Sequence, residues 1–261
     1  METFRDVARP VIALGIDYPD GYTTGPHQHR RAQLLYGLTG VVTVITPVGA
    51  WMMPPQRGMW IPPGITHDVR MLGQVKMRSV YLDPESIEGM PDVCQVVEIS
   101  AFMRSLLTEA ATVPLEYDEL GRTGALMTLI HHELRLLSPL PLALPLPGNE
   151  ALARLCRKFI VEPSPHDTID EWRRQLRLSR RTFTRLFRKE TGLSFVEWRQ
   201  QACVMSALPK LADGQSVTTV AMDLGYDNPA AFTAMFRRVL GSAPREYFSN
   251  IDKPKAAIPD Q

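Results

Sequence analysis

The stretch "IDEWRRQLRLSRRTFTRLFRKETG", residues 169–192, returns in outline as "VTTVAMDLGYDNPAAFTAMFRRVLG", residues 217–241. Phe183, Phe187 and Gly192 reappear 49 residues on as Phe232, Phe236 and Gly241. Each copy predicts a short helix, a tight turn and a second helix. The first helices bury Trp172 and Leu176 in one copy, Val220 and Leu224 in the other. The second helices bury the faces that carry the paired phenylalanines. A helix pair of this size leaves one side of its second helix free of the core, which suits a major groove wide enough to admit a helix. Two copies on one chain would reach successive groove faces about 34 Å apart.

The first copy has the chemistry for that role. Between Arg173 and Lys189 stand eight cations: Arg173, Arg174, Arg177, Arg180, Arg181, Arg185, Arg188 and Lys189. With Phe183 and Phe187 inward, Arg181, Thr184 and Arg185 fall on the free side. Arginine there can donate a bidentate pair of hydrogen bonds to guanine. Arg188 and Lys189 suit phosphates, and Arg180 is a further DNA-binding candidate. The second copy presents Ala230, Thr233 and Ala234, which touch thymine methyls but discriminate less. Asn228 is placed to cap that helix first and to meet DNA second, and Arg237 suits a phosphate. A single exposed arginine is ordinarily a solvated charge. Eight on a duplicated pattern outweigh that reading.

Charge divides the same way. The chain of 261 residues has a formal net charge of +1. From residue 150 onward there are 18 Lys and Arg against 13 Asp and Glu, and before it 11 against 15. Separate jobs for the two halves follow. No apolar run predicts a signal peptide or a membrane span, so no membrane role is expected. Cys94, Cys156 and Cys203 are scattered, which fits a reducing cytoplasm and not a thiolate metal site.

The boundary falls at "LLSPLPLALPLPGNE", residues 136–150, where prolines at 139, 141, 145 and 147 predict a semi-stiff linker over 138–149. Before it, "VVTVITPVGAWMMPP", "GMWIPP" and "VKMRSVYLD" are short β-prone runs cut by Pro and Gly, predicting a small barrel over 1–90. Residues 95–110 and 119–137 have apolar spacing of helical period, so 91–137 reads as a helical pair. That pair is either a dimer surface or a cover for the barrel core. Residues 150–249 read as helical, opening with Asn149 as an N-cap, and 250–261 as a flexible tail. The fold class expected is α+β: a β-barrel with flanking helices, then an all-α domain with two helix-turn-helix units.

The motifs "LSRRTFTRLFRKETGLSFVEWRQQ" and "VTTVAMDLGYDNPAAFTAMFRRVLGSAPREYF", in this order and spacing, resemble the DNA-binding domain of the AraC/XylS family over roughly residues 150–249. The resemblance implies about seven helices, with "SFVEWRQQACVMSAL" as a connector, and transcription regulation at promoter DNA. Arg173 and Arg177 stand where the family usually has Ala and often Gly, and Cys203 and Ser206 where it often has arginines. Pro209 predicts that the connector ends or kinks near Leu208.

The first half resembles a cupin, through "GPHQHRRAQLLYGLTG" and "GMWIPPGITHDV". The resemblance implies a metal-ligand set at His27, His29, Gln33 and His67, with Gln33 where a glutamate is common. His27 and His29 share one side of a strand through the period of two. Three neutral imidazoles bind a divalent transition metal, and the missing carboxylate weakens that binding. No cofactor is certain from sequence; a metal-free effector pocket and plain packing are the other readings. Tyr36, Trp51 and Trp60 are candidates to stack on a flat effector. Asp17, Asp68 and Asp83 read as turn or surface groups.

The leading expectation is a cytoplasmic, non-enzymatic, sequence-specific regulator controlled by a small-molecule effector. Its partners would be promoter duplex DNA, the effector, RNA polymerase if it activates, and a second copy if 95–137 dimerises. The alternatives are a metal-dependent cupin enzyme fused to a DNA-binding domain, and a DNA-binding protein whose barrel only mediates assembly.

Overall fold

The structure, a computed structural model, describes residues 7–251. Ten strands precede or accompany nine helices among these residues. The strands are β1 (Val11–Tyr18), β2 (Ala32–Gly37), β3 (Val41–Thr46), β4 (Gly49–Met53), β5 (Arg57–Ile61), β6 (Asp68–Leu72), β7 (Val75–Leu82), β8 (Gln95–Glu98), β9 (Pro139–Leu140) and β10 (Ala143–Pro145). One sheet has the order β1-β7-β2-β5-β8-β9 and the other β10-β4-β3-β6. Two compact units divide the chain: residues 7–43 with 53–140, and residues 44–52 with 141–249.

In the first unit, antiparallel register places Gln33 between Ile61 and Tyr81. The period of two then sends Leu34 and Tyr36 to the opposite face. That face carries a hydrophobic core closed by α1 (Ala101–Ala110) and α2 (Arg122–Leu134). Met103, Leu106, Leu107 and Ala110 from α1 meet Met127, Ile130 and Leu134 from α2 in it. Ser100 caps α1 by accepting from Met103 N at 3.0 Å. The two helices therefore cover the sheet's core, while Phe102 and Leu129 remain exposed. Residues 95–98, included in the expected helical stretch, are instead strand β8, paired with β5 on one side and β9 on the other. Its valines, Val96 and Val97, are fully buried one on each face, a pattern that a four-residue run shares with a helix turn.

The expected linker is also more ordered than its prolines suggest. Pro139 and Pro145 lie in strands β9 and β10 at sheet edges, where a missing N–H is tolerated. In the second unit β10 pairs with β4, with Leu144 opposite Ala50, and buries Leu142 and Leu144. Met52 N donates to Leu142 O at 3.1 Å and Leu146 N to Val48 O at 3.1 Å. Leucines between the prolines supply the apolar contact that outweighs the lost donors.

The rest of the second unit is helical: α3 (Glu150–Val161), α4 (Ile169–Gln175), α5 (Arg180–Thr191), α6 (Phe195–Ala212), α7 (Val217–Asp223), α8 (Pro229–Leu240) and α9 (Pro244–Ile251). Side-chain caps start nearly all of them: Asn149, Thr168, Ser179, Ser194, Ser216 and Asn228 each accept from a backbone N–H three residues on. Thr168 with Glu171, and Ser194 with Glu197, form complete capping boxes. Gly192 and Gly241 end α5 and α8 in the left-handed region, at φ 74° and 80°. Of the expected end or kink near Leu208, the end does not occur: α6 runs through Pro209 to Ala212. Buried Leu208, Ala207 and Cys203 hold that turn in place despite the hydrogen bond that proline cannot donate. The tail expected from 250 begins within α9, and residues 252–261 lie outside those described.

Candidate functional site

The helical repeat folds as two matching units. In the first, α4 packs on α5; in the second, α7 packs on α8; and α6 lies between them in the chain. Phe183, Phe187, Phe232 and Phe236 are all fully buried. Rings of Trp172, Phe187, Phe195, Trp198 and Phe159 stack mostly edge to face at 4.9–6.3 Å around the first unit. The turns also match. Leu178 N donates to Arg173 O at 2.9 Å in one, and Tyr226 N to Ala221 O at 3.0 Å in the other. The residue at the bend has positive φ in each: Gly225 at 81°, and Arg177 at 54°, where a side chain adds strain. The second turn holds one more residue before its cap, Asn228, than the first holds before Ser179.

Burial of the phenylalanine faces turns the cations outward. Arg180, Arg181, Thr184, Arg185, Arg188 and Lys189 line one open groove of about 770 Å³. Arg181, Thr184, Arg185, Arg188 and Lys189 are exposed, and Arg181 and Arg185 make no ion pair with any described residue. Arg180 differs from them. Its Nη1 lies 3.2 Å from Asp170 Oδ2, and Arg173 Nε lies 2.5 Å from the other oxygen of the same carboxylate. The Arg173 hydrogen bond first, then the surrounding guanidinium charges, hold the Asp170 carboxyl below its ordinary range. This clamp joins α4 to the start of α5, a role not visible in sequence because the partners are ten residues apart. On α8, Ala230 and Ala234 are exposed and Thr233 half-buried; Arg237 is exposed near the helix end. Asn228 Oδ1 accepts from Ala231 N at 2.8 Å, so its capping role is occupied.

The first unit gathers the three histidines. His27 and His67 face each other as an isolated antiparallel bridge, His27 N donating to His67 O at 2.9 Å and His67 N to His27 O at 2.8 Å. One ring nitrogen from each of His27, His29 and His67 lies within 4.8 Å of the others. Each Nδ1 meets a backbone carbonyl: Gly25 O at 2.9 Å, Arg31 O at 2.5 Å and Ile65 O at 2.7 Å respectively. Those bonds place the proton on Nδ1 and leave Nε2 as the lone-pair nitrogen of each ring. His67 Nε2 is buried with no hydrogen-bond partner among the described residues. Gln33 Oε1 lies 2.9 Å from His29 Nε2, and Gln33 Nε2 lies 2.8 Å from the Tyr81 hydroxyl. Around a neutral His29, the Gln33 amide satisfies both neighbours when its nitrogen faces the ring and its oxygen faces Tyr81.

Burial pushes His67 down to about 4, and the charges of His27 and His29 push the same way against the Ile65 carbonyl. Burial likewise lowers His29. An unfolded histidine titrates near 6.5. Between that value and the folded value the unfolded chain binds the proton that the folded chain refuses, so stability falls as pH falls through this window. The urea midpoint of metal-free protein is expected to drop between pH 6.5 and 4, with a shallower drop in H67Q; parallel profiles would contradict this.

All three expected stacking aromatics are buried. Tyr36 and Trp60 are paired in register with the helix-facing side of the sheet and sit in the core closed by α1 and α2, where Trp60 Nε1 donates to Pro91 O at 2.8 Å. Trp51 lies in β4, buried in the other unit, and its Nε1 has no partner among the described residues. The period of two separates Tyr36 and Trp60 from Gln33. The aromatics on the imidazole side are Tyr81, whose ring meets His29 edge-on at 5.5 Å, and Tyr18, whose ring lies 4.9 Å from Tyr22. Tyr18 is close enough to raise the Tyr81 hydroxyl further, after burial. Strand pairing, not local sequence, carries that information. Asp17, Asp68 and Asp83 serve Arg78, Thr23 with Arg70, and the cap of a single 3-10 turn.

Comparison with known proteins adds the family. Residues 172–250 match a family described as a helix-turn-helix domain, and residues 9–134 one described as an AraC-like ligand binding domain. The HTH-type transcriptional regulator NimR of Escherichia coli K12 is 32% identical over 243 residues, covering 92% of this chain and 89% of NimR. The HTH-type transcriptional regulator RipA of Corynebacterium glutamicum is 32% identical over 105 residues, covering 40% of this chain and 31% of RipA. The solved DNA-binding domain of AdpA, in complex with a target DNA, is 29% identical and covers 41% of this chain and 100% of that one, with a TM-score of 0.37. With its two helix-turn-helix units matched and its identity to NimR running nearly end to end, the chain belongs to the AraC family of DNA-binding transcription regulators, carrying an AraC-like ligand-binding domain ahead of its helix-turn-helix domain.

Proposed function

We propose that α5 reads base edges through Arg181, Thr184 and Arg185, while Arg188, Lys189 and Arg237 hold phosphates. Ala230, Thr233 and Ala234 of α8 let that helix approach closely and add apolar contact. Asn228 and Arg180 act first as structural groups, through the α8 cap and the Asp170 clamp. One observation carries the reading: two arginines stand exposed and unpaired on the outer side of a helix whose inner side is locked by Phe183 and Phe187. Footprinting on duplexes selected from a random pool tests it. A single sharply protected sequence is the expected result, and uniform protection would contradict it.

The small-molecule effector binds on the imidazole side of the first unit, bounded by His27, His29, His67, Gln33, Tyr81 and Tyr18. The polar groups there fix orientation and the tyrosines offer flat surface. The effector regulates only if it binds two arrangements of the protein unequally. The protein acts in the cytoplasm without catalysing a reaction, and its DNA-bound form meets RNA polymerase where it activates. A second copy docks on the α1–α2 pair, where Phe102 and Leu129 stand exposed.

The same residues fit a divalent metal such as zinc. One ring nitrogen of each histidine converges, each Nδ1 meets a carbonyl, and buried His67 Nε2 lacks a hydrogen-bond partner among the described residues. His27, His29 and His67 would hold the ion, with the neutral Gln33 amide beside it. Bound metal would supply a positive centre for an anionic or carbonyl-bearing effector. Zinc at about 100 times its dissociation constant is expected to stabilise the protein by about 2.7 kcal/mol. That gain should vanish when the three histidines become alanine. Untagged protein without stoichiometric metal, and an unchanged effector response in the triple variant, would remove the metal.

A further inference from the structure

The loop between α3 and α4 touches both helix-turn-helix units with adjacent side chains. His166 Nε2 lies 2.6 Å from Gly225 O, in the turn that joins α7 to α8. Its next residue, Asp167, accepts from Trp172 Nε1 of α4 at 2.8 Å, and the Asp167 carbonyl accepts from Arg199 of α6. Thr168 then starts α4 through its capping box. Packing is close as well as polar. A methyl group added at Gly225 would lie 3.8 Å from Pro165 Cδ and 3.9 Å from His166 Cδ2.

We propose that His166 is a positioning residue for DNA recognition: its imidazole ties the α7–α8 turn to the loop that opens α4, and so sets α8 relative to α5. The carbonyl of Gly225 is an acceptor only, so the bond requires the proton on Nε2. Asp227 Oδ1 lies 3.9 Å from the same nitrogen and favours that donor. The covalent route between the reading helices is α6, which contains Pro209 and therefore lacks one helical hydrogen bond. A brace outside α6 fixes what the connector alone leaves softer. Tyr226, next to Gly225, interacts with Cys203 of α6. Two helices bound to one duplex must match its helical repeat, so their mutual setting becomes a preference for the spacing between the two contacted segments.

This inference rests on the proposal that α5 and α8 both meet DNA. The test uses the full chain and a duplex selected by it from a random pool, with one base pair inserted or removed between the two protected segments. Unmodified protein is expected to lose at least about tenfold affinity at either altered spacing. H166A should bind the original duplex several-fold more weakly and discriminate spacing less than threefold, with binding to each segment alone unchanged. H166Q, whose amide nitrogen can donate to Gly225 O, should recover the discrimination. His166 is more than half exposed, and an unchanged melting temperature in H166Q separates positioning from folding. Spacing discrimination kept in H166A, or lost equally in H166Q, would overturn the inference. Absence of any spacing preference in the unmodified protein would instead overturn the two-helix reading beneath it.

Discussion

Replacing Arg181 and Arg185 together by alanine is expected to abolish sequence preference while leaving the fold intact. Each arginine on a guanine contributes about 1–3 kcal/mol of discrimination, so the pair amounts to a loss of about 2–6 kcal/mol on the preferred duplex. Neither makes an ion pair within the described protein, so removal should not disturb α5. Phe183 and Phe187, fully buried, keep the helix seated. The single variants separate the roles: each should relax preference at its own base position in a binding-site selection. An equal loss on every sequence would reassign that arginine to phosphate contact. Arg188→Ala provides the contrast, weakening all duplexes alike and reducing the salt slope of binding by about one.

Replacing Trp198 by alanine is expected to destabilise the helical unit by about 3–5 kcal/mol. The indole is fully buried, and rings of Phe159, Trp172 and Phe187 lie 5.7–6.1 Å away. Its Nε1 also donates to Pro145 O at 2.8 Å, so truncation leaves that carbonyl without its donor. Denaturant unfolding followed by circular dichroism measures the loss. Trp198→Phe should keep most of the ring packing and lose the hydrogen bond, giving an intermediate effect. Equal midpoints for Trp198→Phe and the unmodified protein would show that the Pro145 bond adds nothing to stability.

The helical half was legible because its signals are local. Caps such as Ser179 and Asn228, stops such as Gly192, and phenylalanines four apart each act within one or two turns of the chain. The cation groove follows from the same periodicity. The sheets were less legible because pairing is non-local. Gln33 meets Tyr81 across 48 positions, and no window near either residue announces the other. Tyr36 and Trp60, expected as ligand contacts, lie by the period of two on the face opposite Gln33. Prolines 139 and 145 suggested a linker, whereas buried Leu142 and Leu144 decided for strand pairing. His166 carried no sequence signal at all, since its partner is 59 positions away.

The pairing of β4 with β10 also has a consequence for synthesis. Ala50 finds Leu144 only after roughly 90 further residues have been added, which at ribosomal rates takes about 5–20 s. Until then the edge of β4 offers unpaired amides and carbonyls to any nascent neighbour. Translation that pauses before residue 145 should therefore increase chaperone capture and aggregation, and a truncated chain ending at 140 should be poorly recovered.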